Sequence, residues 1–252
     1  MLDVLDHGPI RELRLARPPV NALNDGLLGA LAAAVHDAPD AGVRALVLSG
    51  GPKVFSAGMD LPWLMSLGTN RAALQAAWES LFAAARSLAE CPVPVVAAVT
   101  GHSPAGGCVL ALCCDYRVMA RGPFRIGLNE VEVGLVVPAA IQYLMQRVVG
   151  VHRAERLLVA GAMLEAQDAQ AIGLVDELAD VDHVTTRART WLEDLLAKPP
   201  EAMLGTRALA RADLVAALRD PERLRLDAFL ERWFTPATQA VLRAVLARLK
   251  GG

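Results

Sequence analysis

The sequence contains no CxxC pair and no HxxxH or HExxH spacing. Of its four cysteines, Cys91, Cys108, Cys113 and Cys114, three lie in apolar runs, and its five histidines stand far apart. Buried free thiols are therefore expected, and no metal. Polar low-complexity tracts are also missing, and neither sign of charge dominates: 25 Lys and Arg balance 27 Asp and Glu to a formal net charge of −2. Scattered basic residues argue against a nucleic-acid surface, and clusters such as RLRLD and RAVLARLK read as solvated helix faces. The N-terminal MLDVLDHGPIREL carries acids early and lacks the basic-then-apolar layout of a secretion signal. Charge is absent from Cys91 to Cys114, a run long enough to span a bilayer. Its prolines and central GHSPAGG instead predict a strand, a turn and a helix. A soluble, cytoplasmic protein with no membrane partner is expected, although an organelle protein stripped of its presequence would read the same way.

What the chain does have is apolar content: 54% of its 252 residues are hydrophobic, enough for a sizeable core. IRELRL (10–15) reads as a half-buried strand, followed by the proline turn RPPVNALN and the periodic helix LLGALAAAVHDA. VRALVLSG is a second strand ended by Gly-Gly-Pro, and a helix is predicted from about Arg71 to Leu88. PVPVVAAV predicts a buried strand, GGCVLALCC the helix after it, and YRVMA and PFRIG two short strands. Beyond Pro138 the pattern turns helical, interrupted by a short strand within IGLVDELAD. Helices then dominate: TTRARTWLEDLLA, MLGTRALARADLVAALRD, PERLRLDAFLERWF and PATQAVLRAVLARLK. The expected architecture is an α/β core over residues 1–190 followed by a helical region over 191–252, which needs a packing surface of its own or on a neighbouring subunit.

GHSPA (101–105) approximates the G-x-S-x-G elbow that presents a nucleophilic serine. The residue after Ser103 is Pro104, however, which has no N–H for the oxyanion site such a serine needs. Two other turns share a logic. Ser56-Ala57-Gly58-Met59-Asp60 follows one strand, and Pro104-Ala105-Gly106-Gly107 follows another and opens a helix. Glycines admit close backbone approach, and helix N-termini leave amides free, so the pair could hold one oxygen between two N–H groups. Spacing alone favours two plain strand-to-helix turns.

FSAGMDL, PAGGCVLALCCDYRV and IGLNEVEVGLVVP resemble the signatures of the crotonase (enoyl-CoA hydratase/isomerase) superfamily. RPPVNALN is similar to its first CoA-contacting turn, which brings Val20 and Ala22 to the substrate. AERLLVAGAMLEAQDAQAIGLVDELA is similar to its later helix-to-strand segment. Within that family, SPAGGCVLALCCDYRV with IGLNE is most similar to the mitochondrial-type Δ3,Δ2-enoyl-CoA isomerases, and the likeness covers nearly the whole chain.

The resemblance implies a ββα spiral core, a C-terminal helical region that forms trimers or pairs of trimers, and an acyl-CoA substrate. It implies no cofactor, since coenzyme A is part of the substrate. The thioester oxygen would be held by the amides of Met59 and Gly106, with Ser56, Ala57, Gly58, Asp60, Leu61, Ala105 and Asn129 around the substrate. The family's hydratases use two glutamates; the first position corresponds to Val109, and the second to Glu130. A lone acid suits double-bond isomerisation, while hydration needs another group to orient water. Glu132 is the rival, sharing a face with Glu130 in extended chain. Leu128, Val131, Val133 and Leu135 form the expected apolar surroundings of the acid. Asn129 is a candidate to orient it, Trp63, Met65 and Trp78 are candidates for an acyl pocket, and Asp115 is expected to cap or pair at the end of the GGC helix. Hydration, another acyl-CoA reaction, acyl-CoA binding without turnover and, last, hydrolysis by a Ser103 nucleophile remain the competing functions.

Overall fold

The computed structural model describes residues 1–251. A hairpin joins β1 (Leu2–His7) to β2 (Ile10–Leu15), and α1 (Asp25–Asp37) follows the proline turn. β3 (Ala45–Ser49) leads to the short α2 (Leu61–Ser66) and the long α3 (Arg71–Glu90). β4 (Val95–Val99) leads through β5 (Ser103–Pro104) into α4 (Gly106–Leu112). β6 (Tyr116–Ala120) and β7 (Arg125–Gly127) precede a 3-10 turn at Glu130–Val133. Then come α5 (Ala139–Val149), α6 (Val151–Ala160), β8 (Leu164–Glu165), α7 (Ala166–Ala171) and β9 (Glu177–Ala179). Helices α8 (Val184–Leu196), α9 (Pro200–Ala210), α10 (Ala212–Arg219), α11 (Pro221–Leu224), α12 (Leu226–Trp233) and α13 (Pro236–Gly251) follow.

Six strands form one sheet in the order β1-β2-β3-β4-β6-β9, antiparallel only between β1 and β2. β3 and β4 are buried on both faces, which is why ALVLS and VVAAV run apolar without a polar alternation. Leu46, Leu48, Val95, Ala97 and Val99 face the layer holding α1, α3, α4 and α5. Ala45, Val47, Val96 and Ala98 face Val184, Ala188 and Leu192 of α8. The expected boundary at residue 190 falls inside α8, a helix that packs on the sheet. Asn24 and Asn70 start α1 and α3 by accepting the amides of Leu27 and Ala73, both at 3.0 Å.

Because β3 and β4 are parallel neighbours, their carboxyl ends lie on the same edge of the sheet, where ligands of open α/β sheets bind. The two glycine turns both leave from that edge. A second, three-stranded sheet of β5, β7 and β8 fixes the chain between Ser103 and Gly127 beside them.

Two long predicted helices are interrupted. MLGTRALARADLVAALRD breaks at Arg211, between α9 and α10, and PERLRLDAFLERWF breaks at Arg225, whose φ of 42° is left-handed. At the first break Arg211 turns its guanidinium into the core, 3.0 Å from Asp115, and donates to the Cys113 carbonyl at 2.6 Å. Arg207 donates twice to Asp115 at 2.8 Å and once to the Cys91 carbonyl at 2.7 Å. Asp115 also accepts the Val95 amide at 2.8 Å, so it pairs, as expected, and fastens the helical tail to the core. Arg211 is only 6% exposed, and removing its counter-charge leaves a buried cation unpaired. Asp115→Ala is expected to cost about 3 kcal/mol of unfolding free energy, read from the midpoint of urea denaturation.

Candidate active site

Four consecutive amides follow Ser56, and three of them are spent inside the protein. Ala57 N–H donates to the Val20 carbonyl at 3.0 Å, Gly58 N–H to Ser56 Oγ at 3.2 Å, and Asp60 N–H to the Leu23 carbonyl at 2.9 Å. Met59 N–H has no acceptor among the described residues. Two of the three partners, Val20 and Leu23, come from the proline turn at 17–24, which is also laced to this segment through Arg17. Its guanidinium donates to Asp60 at 2.6 Å and to the Ala22 carbonyl at 2.8 Å. Asp60 in turn accepts the Trp63 amide at 2.9 Å and so caps α2.

The second turn ends in the same way. Ala105 N–H donates to the Gly127 carbonyl at 2.9 Å, whereas Gly106 N–H, at the head of α4, has no acceptor among the described residues. The two turns touch. A β-carbon placed on Gly58 would lie 3.2 Å from Gly106 N, and one placed on Gly106 would lie 3.5 Å from Met59 N. Glycine at both positions is therefore what allows two unspent amides to stand side by side. Ala105 bears a left-handed φ of 46°, a conformation that costs a non-glycine residue about 1–3 kcal/mol. Strain held at this point fixes the direction of the Gly106 amide.

Met59 and Gly106 both line a cavity of about 730 Å³, large enough for a drug-sized ligand and lined mostly by apolar side chains. Two carboxylates line it. Asp60 is committed to Arg17 and the α2 cap, as described above. Glu130, 8% exposed, has no partner for Oε2. Burial pushes its carboxyl up to about 7, opposed by a hydrogen bond from its own backbone amide.

The family described as Enoyl-CoA hydratase/isomerase matches residues 7–235. This chain belongs to the enoyl-CoA hydratase/isomerase family. It is 33% identical over 244 residues to mitochondrial enoyl-CoA delta isomerase 1 of Mus musculus, covering 94% of this chain and 83% of that protein. It is equally 33% identical, over 215 residues, to a probable enoyl-CoA hydratase, EchA17, of Mycobacterium tuberculosis, covering 82% and 81% respectively. Its fold superposes on the crystal structure of human mitochondrial delta3-delta2-enoyl-CoA isomerase with a TM-score of 0.92, at 29% identity, covering 99% of this chain and 98% of that one. The protein is thus an enzyme of this family with a crotonase-like α/β fold.

Most of the residues that the family motifs pointed to meet at the cavity: Val20, Ala22, Ala57, Met59, Asp60, Leu61, Ala105, Gly106, Asn129 and Glu130 all line it. Ser56 and Gly58 lie behind this lining, and Ser56 Oγ donates to the Asn21 carbonyl at 2.8 Å. The Asn129 side chain makes no hydrogen bond with Glu130. Glu130 and Glu132 do not share a face, because the chain forms a 3-10 turn there rather than extended backbone. Glu132 is exposed and lies against Gly161. The same turn carries Val131 out to solvent at 38% exposure, so it does not desolvate the acid as its position in sequence suggested; Leu128 and Leu135 are buried.

Ser103 is fully buried on β5 and does not line the cavity. Val109 is likewise buried on α4, away from the lining. Of the three candidates for an acyl pocket, Trp78 lines the cavity and Trp63 and Met65 do not. Sequence reasoning missed Arg17 and the far wall, built by Phe82, Phe229, Trp233 and Leu242. Arg17 stands in the quoted RPPVNALN turn, but no local pattern joins residues 82 and 229. Among the described residues no group of three or more His, Cys, Asp or Glu side chains is placed to hold a metal ion, and no helix is long and apolar enough to cross a membrane.

Gly58→Ala puts a methyl group 3.2 Å from the Gly106 amide on a backbone at φ 82°. This variant is expected to lose about a hundredfold or more in kcat, the typical loss for one such donor, in a steady-state assay of the wild-type reaction.

Proposed function

We propose that the protein moves the double bond of a 3-enoyl-CoA into conjugation with the thioester, yielding a trans-2-enoyl-CoA. The reading is carried by one observation: among the described residues lining the cavity, Glu130 is the only carboxylate not engaged by another residue, and it shares that lining with Met59 and Gly106, whose amides have no acceptor. The Glu130 carboxylate takes a proton from the α-carbon, and the electron pair of that C–H bond forms the new α,β double bond's precursor, a dienolate. Its charge gathers on the thioester oxygen, between the amides of Met59 and Gly106, where fixed donors stabilise it without reorganising. The protonated Glu130 then delivers the same proton to the γ-carbon. The old double bond's electrons form that C–H bond, and the net change is a shift of the double bond by one position.

A base near neutrality suits both halves of this transfer, since the group must accept a proton and release it again. No metal or redox cofactor takes part in this scheme, because the thioester supplies the activation. Hydration is the second reading, favoured by the mycobacterial relative named a probable hydratase. Against it stand Val109, which carries no acid, and Asp60, the other carboxylate lining the cavity, which is already tied to Arg17 and to the cap of α2.

Conjugated product is expected from a 3-enoyl-CoA, and no hydroxyacyl product from a 2-enoyl-CoA; robust hydration would overturn the isomerase reading. Glu130→Gln is expected to remove at least about a hundredfold of the rate. Because the carboxylate is the reactive form at the first step, kcat/KM should rise with pH through a midpoint of about 7, then level off.

The proposal extends to assembly, as a homotrimer or a pair of trimers. Strongly exposed apolar side chains on the helices, Val151 at 67%, Val159 at 77% and Leu209 at 82%, support a covered surface in the working protein. Light scattering should give a trimeric or hexameric mass, and a monomer would reject this assembly.

A further inference from the structure

The far end of the cavity is closed by a thin wall. Phe82 and Leu226 line the cavity on one side and, on the other, a separate cleft whose rim carries Glu79, Arg86, Glu222, Arg225, Asp227 and Glu231. The apolar interior and a strongly charged outer cleft are thus separated by two side chains. The two are held very differently. Phe82 is 1% exposed in the middle of the 20-residue α3. Leu226 is half-buried, opens α12, and follows Arg225, whose backbone is left-handed, and the four-residue α11. Of the two, Leu226 is the side that can give way.

We infer that Leu226, closing against Phe82, sets the longest acyl chain the cavity takes. This rests on the acyl-CoA reading of the site and adds its length limit. Each methylene buried inside the cavity is worth about fourfold in affinity. A methylene pushed past Leu226 enters a charged, wet cleft and gains little of this. Affinity should therefore climb with chain length up to the wall and flatten beyond it.

The test uses saturated hexanoyl-, decanoyl- and tetradecanoyl-CoA, kept below their micelle concentrations, with dissociation constants from calorimetry. These thioesters need no turnover, so the measurement stands whichever reaction the enzyme performs. Leu226→Ala is expected to raise the preference for tetradecanoyl- over hexanoyl-CoA about fifteenfold, and Leu226→Trp to lower it about fifteenfold, from two methylenes gained or lost. A variant that merely packs badly would not move the preference in opposite directions. An unchanged ratio in both variants, or a shift of the same sign in both, overturns the proposal. Failure of the wild-type protein to bind any of the three rejects the acyl-CoA reading together with it. Normal binding with no isomerisation rejects only the reaction.

Discussion

Two backbone amides standing within reach of one oxygen atom is an arrangement that polypeptides rarely leave unsatisfied, and the rest of this site depends on it. Met59 and Gly106 belong to turns 47 residues apart in sequence, brought together because β3 and β4 are parallel neighbours. The turns can approach only where neither bears a side chain, at Gly58 and Gly106. Of the other amides of the first turn, those of Ala57 and Asp60 are consumed by the proline loop and that of Gly58 by Ser56 Oγ, and Arg17 locks the loop to Asp60. The result is a donor pair made rigid before any ligand arrives, which is what electrostatic stabilisation of a developing charge requires.

Glu130 is held in the opposite manner, by what it lacks. The 3-10 turn carries it inward while its neighbours Val131 and Glu132 face out, so one carboxyl is stripped of water and the next is not. Desolvation without a counter-charge is the circumstance that brings a carboxyl to about 7, where proton uptake and release are balanced. Asp60 shows the contrast within the same cavity: with Arg17 and a helix cap as partners, it is a structural group.

Much of this was legible locally. VVAAV announces a buried strand, LLGALAAAVHDA a periodic helix, and the glycine turns announce close backbone approach. The choice of Glu130 over Glu132 was not legible from periodicity, because a 3-10 turn and extended chain separate the two differently; the family motif supplied it. β1 escaped notice because LDVLDH is an edge strand with little burial, and β5 and β8 because two-residue strands leave no pattern. The breaks at Arg211 and Arg225 carry neither glycine nor proline. One is drawn by the core carbonyl of Cys113 and the other adopts a left-handed backbone without the residue that usually marks it. The far wall of the cavity was invisible for a similar reason, since it is assembled from helices more than 140 residues apart.

That wall gives the tail a role in the protein's energetics. Phe229, Trp233 and Leu242 come from α12 and α13, so the cavity exists only while these helices are docked on α3 and the core. Filling the cavity and docking the tail are then one linked equilibrium. A ligand at a hundred times its dissociation constant would hold the tail in place by about 2.7 kcal/mol more than in the free enzyme. The empty enzyme is expected to fray first at its C-terminal helices, while the parallel sheet that carries the amides stays closed, and amide exchange in that region becomes a direct gauge of occupancy.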